Sequence, residues 1–178
     1  MSAAKKLPES APATEAEELR EILNKVSLFT EIKDLPGAAA ELSRLMKSRR
    51  YKAGEVIIAE GDSGSEFFIL ADGSAGVYKK TQDGDLYKVA ILHGHMGTFF
   101  GEGALLEADT RSATLKAECE CRCLVLSKVD FEKFCAEHPE WALPIIKRVA
   151  QAVMVRLKNM NVDLSLLYRA LVDEFSQR

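Results

Sequence analysis

Short apolar segments alternate with turn residues through the middle of the chain. All eleven glycines fall between Gly37 and Gly103, and most of them stand at intervals typical of turns. Short strands separated in this way predict an antiparallel sandwich or barrel, which we interpret as a compact β-roll. Asp83 and Gly84, placed between two of the segments, predict a tight hairpin. The clearest apolar segments are residues 56–58, 67–70, 77–78 and 89–92.

Helical patterns precede the β region. Thr14 followed by Glu17 forms a capping box, and apolar residues continue at helical spacing from 19 to 26. A second helix is predicted from about residue 35 to residue 47, with a proline near its first turn. The first 13 residues are rich in Ala, Pro, Ser and Glu and are expected to form a disordered tail.

Two more strands and further helices follow. The strands are predicted at residues 112–117 and 121–126, and Ser127 is placed to cap the next helix. Pro139 then begins another helical stretch. The sequence therefore predicts helices both before and after the strands of the roll.

The C-terminal 34 residues, 145–178, contain neither glycine nor proline. A continuous helix of that length would extend ~51 Å, more than is needed to cover a domain of this size. The first half can pack on the roll. The part beyond Asn159 is expected to pack against another chain, in a homodimer, or to fold back. Alternatively, the polar residues of 159–165 break the helix and cap a second one. The apolar residues recur every three or four positions: Ile146, Val149, Val153, Leu157, Met160, Leu164, Leu167 and Leu171.

Composition narrows the class of protein. The chain is 47% hydrophobic and 29% charged, as expected for a globular domain, and its formal net charge is -3. That charge argues against nucleic acid or an anionic membrane as a partner. No stretch approaches the ~18 consecutive apolar residues of a membrane helix, and the N-terminus lacks the apolar core of a secretory signal. A cytoplasmic location is expected.

Three of the four cysteines alternate along a short segment, at Cys119, Cys121 and Cys123. Period-two spacing places them on one face of a strand, about 6.6 Å apart, which is too far for adjacent thiolates to share a zinc ion comfortably. They are therefore expected to act as small core residues in a reducing cytoplasm. His93 and His95 are expected in a turn, because no third metal ligand is suggested nearby.

The segment 99–117 carries the most informative chemistry. Glu102 stands nine residues before Arg111, and residues 103–106 can form one helical turn between them. Free N–H groups at the start of such a turn can hold an anion, and the guanidinium of an arginine matches phosphate geometry. Glu102 would repel a phosphate but can accept a hydrogen bond from a sugar hydroxyl, so the pair indicates a nucleotide. The alternative is a structural ion pair between Glu102 and Arg111.

This segment resembles the phosphate-binding cassette of the cyclic nucleotide-binding domain family, which includes the cAMP-binding modules of protein kinase A regulatory subunits and catabolite activator protein. The resemblance implies that Glu102 binds the ribose 2′-hydroxyl and that Arg111 binds the cyclic phosphate with backbone amides from Gly103 to Leu105. Gly103 and Thr110 depart from the family pattern, which usually has a branched apolar residue and a proline there. The matching cassette residues are Phe100, Gly101, Glu102, Ala104, Leu105, Leu106, Arg111, Ala113 and Thr114.

The resemblance continues upstream and covers roughly residues 14–160, leaving 161–178 as a helical extension. Ser112 is expected to contact the ligand near the phosphate or base, and Ala113 to pack beneath it. Outside the cassette the match includes Tyr51, Gly54, Glu55, Glu60, Gly61, Asp62, Gly64, Phe67, Phe68, Ile69, Leu70, Gly73, Asp83 and Gly84.

The resemblance implies a mainly β fold with flanking helices: an antiparallel β-roll (jelly-roll barrel) with N-terminal helices, a short phosphate-binding helix and long C-terminal helices. It also implies a non-enzymatic sensor that binds cAMP, or else cGMP, as its ligand and needs no cofactor or metal. The helix near Pro139 would close over the base and shift the C-terminal helices. The alternative hypothesis is a dimerisation scaffold that kept the fold and signals without nucleotide. No downstream effector is suggested by the sequence, and a transcription factor is disfavoured.

Overall fold

The computed structural model describes residues 13–81, 83–106 and 109–176. Within these ranges the chain forms five α-helices, ten β-strands and two short 3-10 turns. The helices are α1 (Ala13–Lys25), α2 (Ala38–Leu45), α3 (Gly103–Leu106), α4 (Lys128–Glu137) and α5 (Pro139–Ser176). The strands are β1 (Lys47–Tyr51), β2 (Val56–Ile58), β3 (Ser63–Gly64), β4 (Glu66–Asp72), β5 (Ser74–Lys80), β6 (Leu86–His93), β7 (Phe99–Phe100), β8 (Asp109–Thr110), β9 (Thr114–Ala117) and β10 (Cys121–Ser127). The 3-10 turns are Ser27–Phe29 and Gly94–Met96.

The described strands form antiparallel sheets. One four-stranded sheet has the order β1-β10-β4-β7, and a second has the order β2-β9-β5-β6. A short two-stranded sheet pairs β3 with β8. This arrangement, with helices before and after it, confirms the predicted antiparallel β-roll with flanking helices.

The predicted hairpin joins β5 to β6. Gly84 has a φ of 90°, a conformation that glycine adopts without a Cβ penalty. The N–H of Thr81 donates to the carbonyl of Asp85 at 2.8 Å and closes the turn. The Asp-Gly signal therefore marks the turn correctly.

The N-terminal helices differ in extent from the prediction. Helix α1 begins at Ala13, and residues 1–12 of the predicted tail lie outside the described residues. Helix α2 is shorter than predicted, because Gly37 at its N-cap has a φ of 86° and Met46 is already extended. The left-handed Gly37 separates Pro36 from the helix, and Lys47 begins β1 instead of ending α2.

Strand β4 separates two hydrophobic cores. Successive side chains of a strand point to opposite faces, and here both faces are covered. Phe67 and Ile69 belong to the core shared with the helices, whereas Phe68 and Leu70 belong to the core inside the roll. Burying each of these side chains contributes about 1.5–3 kcal/mol, which explains why the 67–70 segment is apolar without alternation.

The cysteines divide between the core and the surface. Cys121 and Cys123 lie in the core of the roll, as predicted, and burial raises the pKa of the Cys123 thiol to about 12. Cys119 is exposed, because β10 begins only at Cys121, so its expected place in the core is wrong. Its Sγ lies 3.3 Å from the hydroxyl of Ser74.

Helix α5 runs without interruption from Pro139 to Ser176, which rules out the alternative of a break at 159–165. The Ser165 hydroxyl donates to the Asn161 carbonyl at 2.9 Å within the helix. Ile145 and Val149 are buried against the rest of the domain, and the helix then extends beyond it with large apolar side chains exposed. Across the part of the chain that the structure describes, no helix combines the length and apolarity needed to cross a membrane.

Candidate ligand-binding site

A cavity of about 560 Å³ lies between the second sheet, the 99–113 segment and α5. It is of the size typical of small-molecule sites. Leu105 is the predicted binding residue that does not line it, because its side chain is buried in the core shared with the helices. The predicted residues that do line it are Phe100, Gly101, Glu102, Gly103, Ala104, Arg111, Ser112 and Ala113.

Glu102 lies just before α3 and is only 4% exposed. Its Oε1 lies 2.5 Å from Nη1 of Arg156, which reaches over from α5. The Arg156 guanidinium also lies 5.9 Å from the centre of the Phe99 ring. Buried carboxylates are costly unless paired, so this contact stabilises Glu102 in the cavity wall. It is a different ion pair from the Glu102–Arg111 pair that the sequence suggested as an alternative.

Arg111 is only 9% exposed and is held from several sides. Its Nη2 donates to the backbone carbonyl of Glu66 at 2.6 Å, and its guanidinium lies 5.8 Å from the centre of the Phe68 ring. Its main chain is paired with the 61–62 turn. The Arg111 N–H donates to the Asp62 backbone carbonyl at 2.8 Å, and the Gly61 N–H donates to the Arg111 backbone carbonyl at 2.9 Å. Because both the backbone and the guanidinium of Arg111 are held in place, its positive charge has a fixed position in the cavity wall.

Two glycines leave the space that the Arg111 side chain occupies. A Cβ on Gly64 would lie 2.1 Å from Nε of Arg111, and one on Gly101 would lie 2.6 Å from its Nη1. Gly101 also has a φ of 72°, which disfavours other residues. Gly64 and Gly101, which both belong to the sequence match, therefore leave room for the side chain of Arg111.

A second ion pair supports the strand that holds Arg111. The Arg49 guanidinium donates to both carboxylate oxygens of Glu66, at 3.0 and 2.7 Å. These hydrogen bonds lower the pKa of Glu66, and the positive charges of Arg49, Arg111 and Lys47 lower it further. The Glu66 carboxylate thus stays ionised beside the carbonyl that binds Arg111.

The short helix α3 is present, but two of its first amides are engaged. Ala104 N–H donates to the Gly101 carbonyl and Leu105 N–H to the Glu102 carbonyl, both at 3.1 Å. The expectation that the N–H groups of α3 are free is therefore wrong for Ala104 and Leu105, since each N–H closes a local hydrogen bond. An anion that binds these two N–H groups would have to share them with the Gly101 and Glu102 carbonyls or replace those carbonyls as the acceptor.

Apolar side chains complete the cavity. Val77 and Leu92 contribute from the second sheet, and Val153, Leu157 and Met160 contribute from α5. The helical spacing of the α5 residues was visible in the sequence, but not the surface they face. Arg156 had no sequence signal, because a single arginine on an amphipathic helix usually lies in solvent. The cavity thus combines one buried cation, one buried carboxylate and apolar walls, which suits a ligand with a phosphate, hydroxyls and a flat apolar part.

Comparison with known proteins assigns the family. Residues 48–138 match the cyclic nucleotide-binding domain family. The cAMP-dependent protein kinase regulatory subunit of Blastocladiella emersonii is 32% identical over 111 residues, which are 62% of this chain and 27% of that protein. The cGMP-dependent protein kinase 2 of Mus musculus is 37% identical over 119 residues, which are 66% of this chain and 15% of that protein. The chain spans less than a third of the length of either relative.

Solved structures give the same result. The catabolite activator protein of Thermus thermophilus is similar with a TM-score of 0.68 and 25% identity, over 79% of this chain and 62% of that one. The predicted resemblance to kinase regulatory subunits and to catabolite activator protein is confirmed. The family model matches more than half of the residues of this chain, and the chain shares the fold of catabolite activator protein. This chain therefore belongs to the cyclic nucleotide-binding domain family.

Proposed function

We propose that the chain is a cytoplasmic, non-catalytic sensor that binds a 3′,5′-cyclic nucleotide in the 560 Å³ cavity. Arg111 binds the cyclic phosphate, and Glu102 accepts a hydrogen bond from the ribose 2′-hydroxyl. The observation that carries the proposal is the convergence of these two buried charged residues on one cavity with apolar walls. The sensor domain comprises residues 14–160, with 161–178 as a helical extension.

Adenine is the favoured base. One matched relative is named for its dependence on cAMP and another for its dependence on cGMP, so the family alone is compatible with both. Ser112 lines the cavity, and a hydroxyl there suits either base. We favour cAMP as the ligand because the apolar side chains that line the cavity offer few hydrogen-bonding groups to the edge of a base.

Calorimetric titration of the protein with cAMP and cGMP separately tests the proposal. Arg111→Ala is expected to weaken binding at least ~100-fold, because a charge-assisted contact to the phosphate is lost. Arg44→Ala removes an exposed arginine of α2 and serves as the matched control. Wild-type protein that binds neither nucleotide would overturn the proposal and favour the scaffold hypothesis.

We further propose that binding is coupled to α5. Arg156 of this helix pairs with the carboxylate assigned to the ribose, and Val153, Leu157 and Met160 line the same cavity. A ligand that engages Glu102 must therefore change the contacts of α5, which shifts the population of its positions. Saturating cAMP is expected to change amide exchange in residues 139–176. Unchanged exchange there, with binding confirmed, would contradict the coupling.

The partner proposed for the far half of α5 is a second copy of the chain. Met160, Leu164 and Leu167 are 66%, 65% and 64% exposed, and they follow the spacing of a helix–helix seam. Such a row of large apolar side chains requires cover in water. A downstream effector protein is a further proposed partner.

A further inference from the structure

A lysine outside the cavity contacts the backbone next to Arg111. Lys79, near the end of β5, donates through Nζ to the carbonyl of Ser112. Ser112 lines the cavity and directly follows the arginine assigned to the phosphate. Lys79 itself is not among the cavity-lining residues, so its contact acts on the main chain of the site.

Glu60 links this lysine to the same loop. Its Oε1 lies 3.5 Å from Lys79 Nζ, and its Oε2 accepts the backbone N–H of Lys80 at 3.0 Å. Its own N–H donates to the hydroxyl of Thr114 at 3.0 Å. One glutamate therefore connects the end of β2, the end of β5 and the start of β9.

The 111–114 segment is held from both sides as a result. On one side the 61–62 turn pairs with the backbone of Arg111, and on the other side Lys79 binds the carbonyl of Ser112. The side chain of Lys79 is 40% exposed and that of Glu60 is 24% exposed, so the pair lies at the rim of the domain and contributes little to its core.

From these contacts we propose that Lys79, held by Glu60, is a positioning residue that fixes the Arg111–Ser112 backbone for ligand binding. This role rests on the proposed cyclic nucleotide site. Its physical basis is that a charged donor binds a carbonyl more strongly than a neutral one, and that fixing the loop before binding lowers the entropy cost of ordering it.

Lys79→Met tests the role, with Lys80→Met as the matched control. The two lysines are adjacent and carry the same charge, but among the described residues the Lys80 ammonium group contacts the Glu60 carbonyl, at 3.5 Å, and not Ser112. In ligand-free protein, Lys79→Met is expected to speed amide exchange at residues 112–114, whereas Lys80→Met leaves it unchanged. Affinity for cAMP is expected to fall about ten-fold in Lys79→Met alone, and Lys79→Arg should restore both readouts.

Several outcomes are decisive. Equal exchange and equal affinity in the two methionine variants would overturn the positioning role. The positioning role would also be overturned if Lys79→Met lowered the free energy of unfolding and sped amide exchange in all segments together. Because the exchange experiment uses ligand-free protein, it still decides whether Lys79 fixes the backbone of residues 112–114 if wild-type protein binds neither cAMP nor cGMP. In that case the proposed function fails, and with it the contribution of Lys79 to affinity, whereas its effect on the ligand-free backbone is still measured.

Discussion

Uncharged groups help to fix the side chain of Arg111. The carbonyl of Glu66, the ring of Phe68 and the space above Gly64 together determine where its guanidinium lies. A cation held in this way has little freedom to lose when an anion binds. Ligand affinity should therefore respond to residues that never touch the ligand.

Gly64→Ala is expected to weaken cyclic nucleotide binding with little loss of stability. The φ of Gly64 is not among the positive values, so alanine fits the backbone, but its Cβ would lie 2.1 Å from Nε of Arg111 and displace the side chain. Calorimetric titration and urea unfolding measure the two effects separately.

Gly61→Ala is the control for this prediction. Gly61 lies three residues before Gly64 and has a φ of 92°, and nothing lies within 4 Å of its added Cβ. Alanine there should reduce stability by backbone strain, on the order of 1 kcal/mol, and disturb Arg111 less. If Gly64→Ala bound nucleotide as tightly as wild type, the added Cβ would not displace the Arg111 side chain.

The Arg49–Glu66 pair should make stability depend on pH. The pKa of Glu66 is lower in the folded protein than its ordinary value of 4.5. The stabilisation is therefore present above that value and is lost as the pH falls through the folded pKa. Arg49→Met should destabilise the protein near neutral pH and progressively less as the pH falls below 4.5, as measured by urea unfolding at a neutral and an acidic pH.

Arg50→Met is the matched control, because Arg50 and Glu120 are 73% and 74% exposed and 3.6 Å apart. Exposed pairs contribute little, so this variant should resemble wild type at both pH values. The Arg49 guanidinium also lies 6.0 Å from the centre of the Phe68 ring. A pH-independent loss in Arg49→Met would show that the residue acts through this packing rather than through Glu66.

Helix α4 shows how one side chain sets the start of an element. The Ser127 hydroxyl accepts the N–H of Asp130 at 3.1 Å, as the sequence predicted. Ser127→Ala is expected to lower the free energy of unfolding by about 1 kcal/mol, as measured by denaturant unfolding. Ser165→Ala, which removes a hydroxyl in the middle of α5, should have a smaller effect.

Helices α2 and α5 show the limits of local signals. Pro36 suggested the start of a helix, but Gly37 adopts a left-handed conformation and α2 begins at Ala38. In α5 the polar residues between 159 and 165 suggested a cap, yet the helix continues. A capping side chain that finds a backbone partner within the helix, as Ser165 does with Asn161, does not break it.

The molecule as a whole leaves the far half of α5 uncovered, which leads to a prediction of dimerisation. Wild-type protein should sediment as a dimer at micromolar concentration, and the double variant Leu164→Glu with Leu167→Glu should sediment as a monomer. Both leucines are largely exposed, so the fold of the monomer should be unaffected. Val129→Glu changes a residue of α4 that is 73% exposed and serves as the control. A wild-type monomer at all concentrations would exclude the dimer.

By itself the sequence determined the β-roll, its hairpin, the order of flanking helices and the two charged residues of the cassette. These features depend on local chemistry: turn residues, strand and helix periodicity, and the spacing of Glu102 and Arg111. They can be predicted because each signal lies within a few residues of the feature it produces.

Only the tertiary structure decided which distant groups meet. It placed Arg156 of α5 on Glu102, Glu66 and Gly64 around Arg111, and Lys79 on the Ser112 carbonyl. It also brought the apolar stripe of α5 over the cavity. These contacts join residues far apart in the chain, and their geometry depends on strand register and helix packing, which no local pattern specifies.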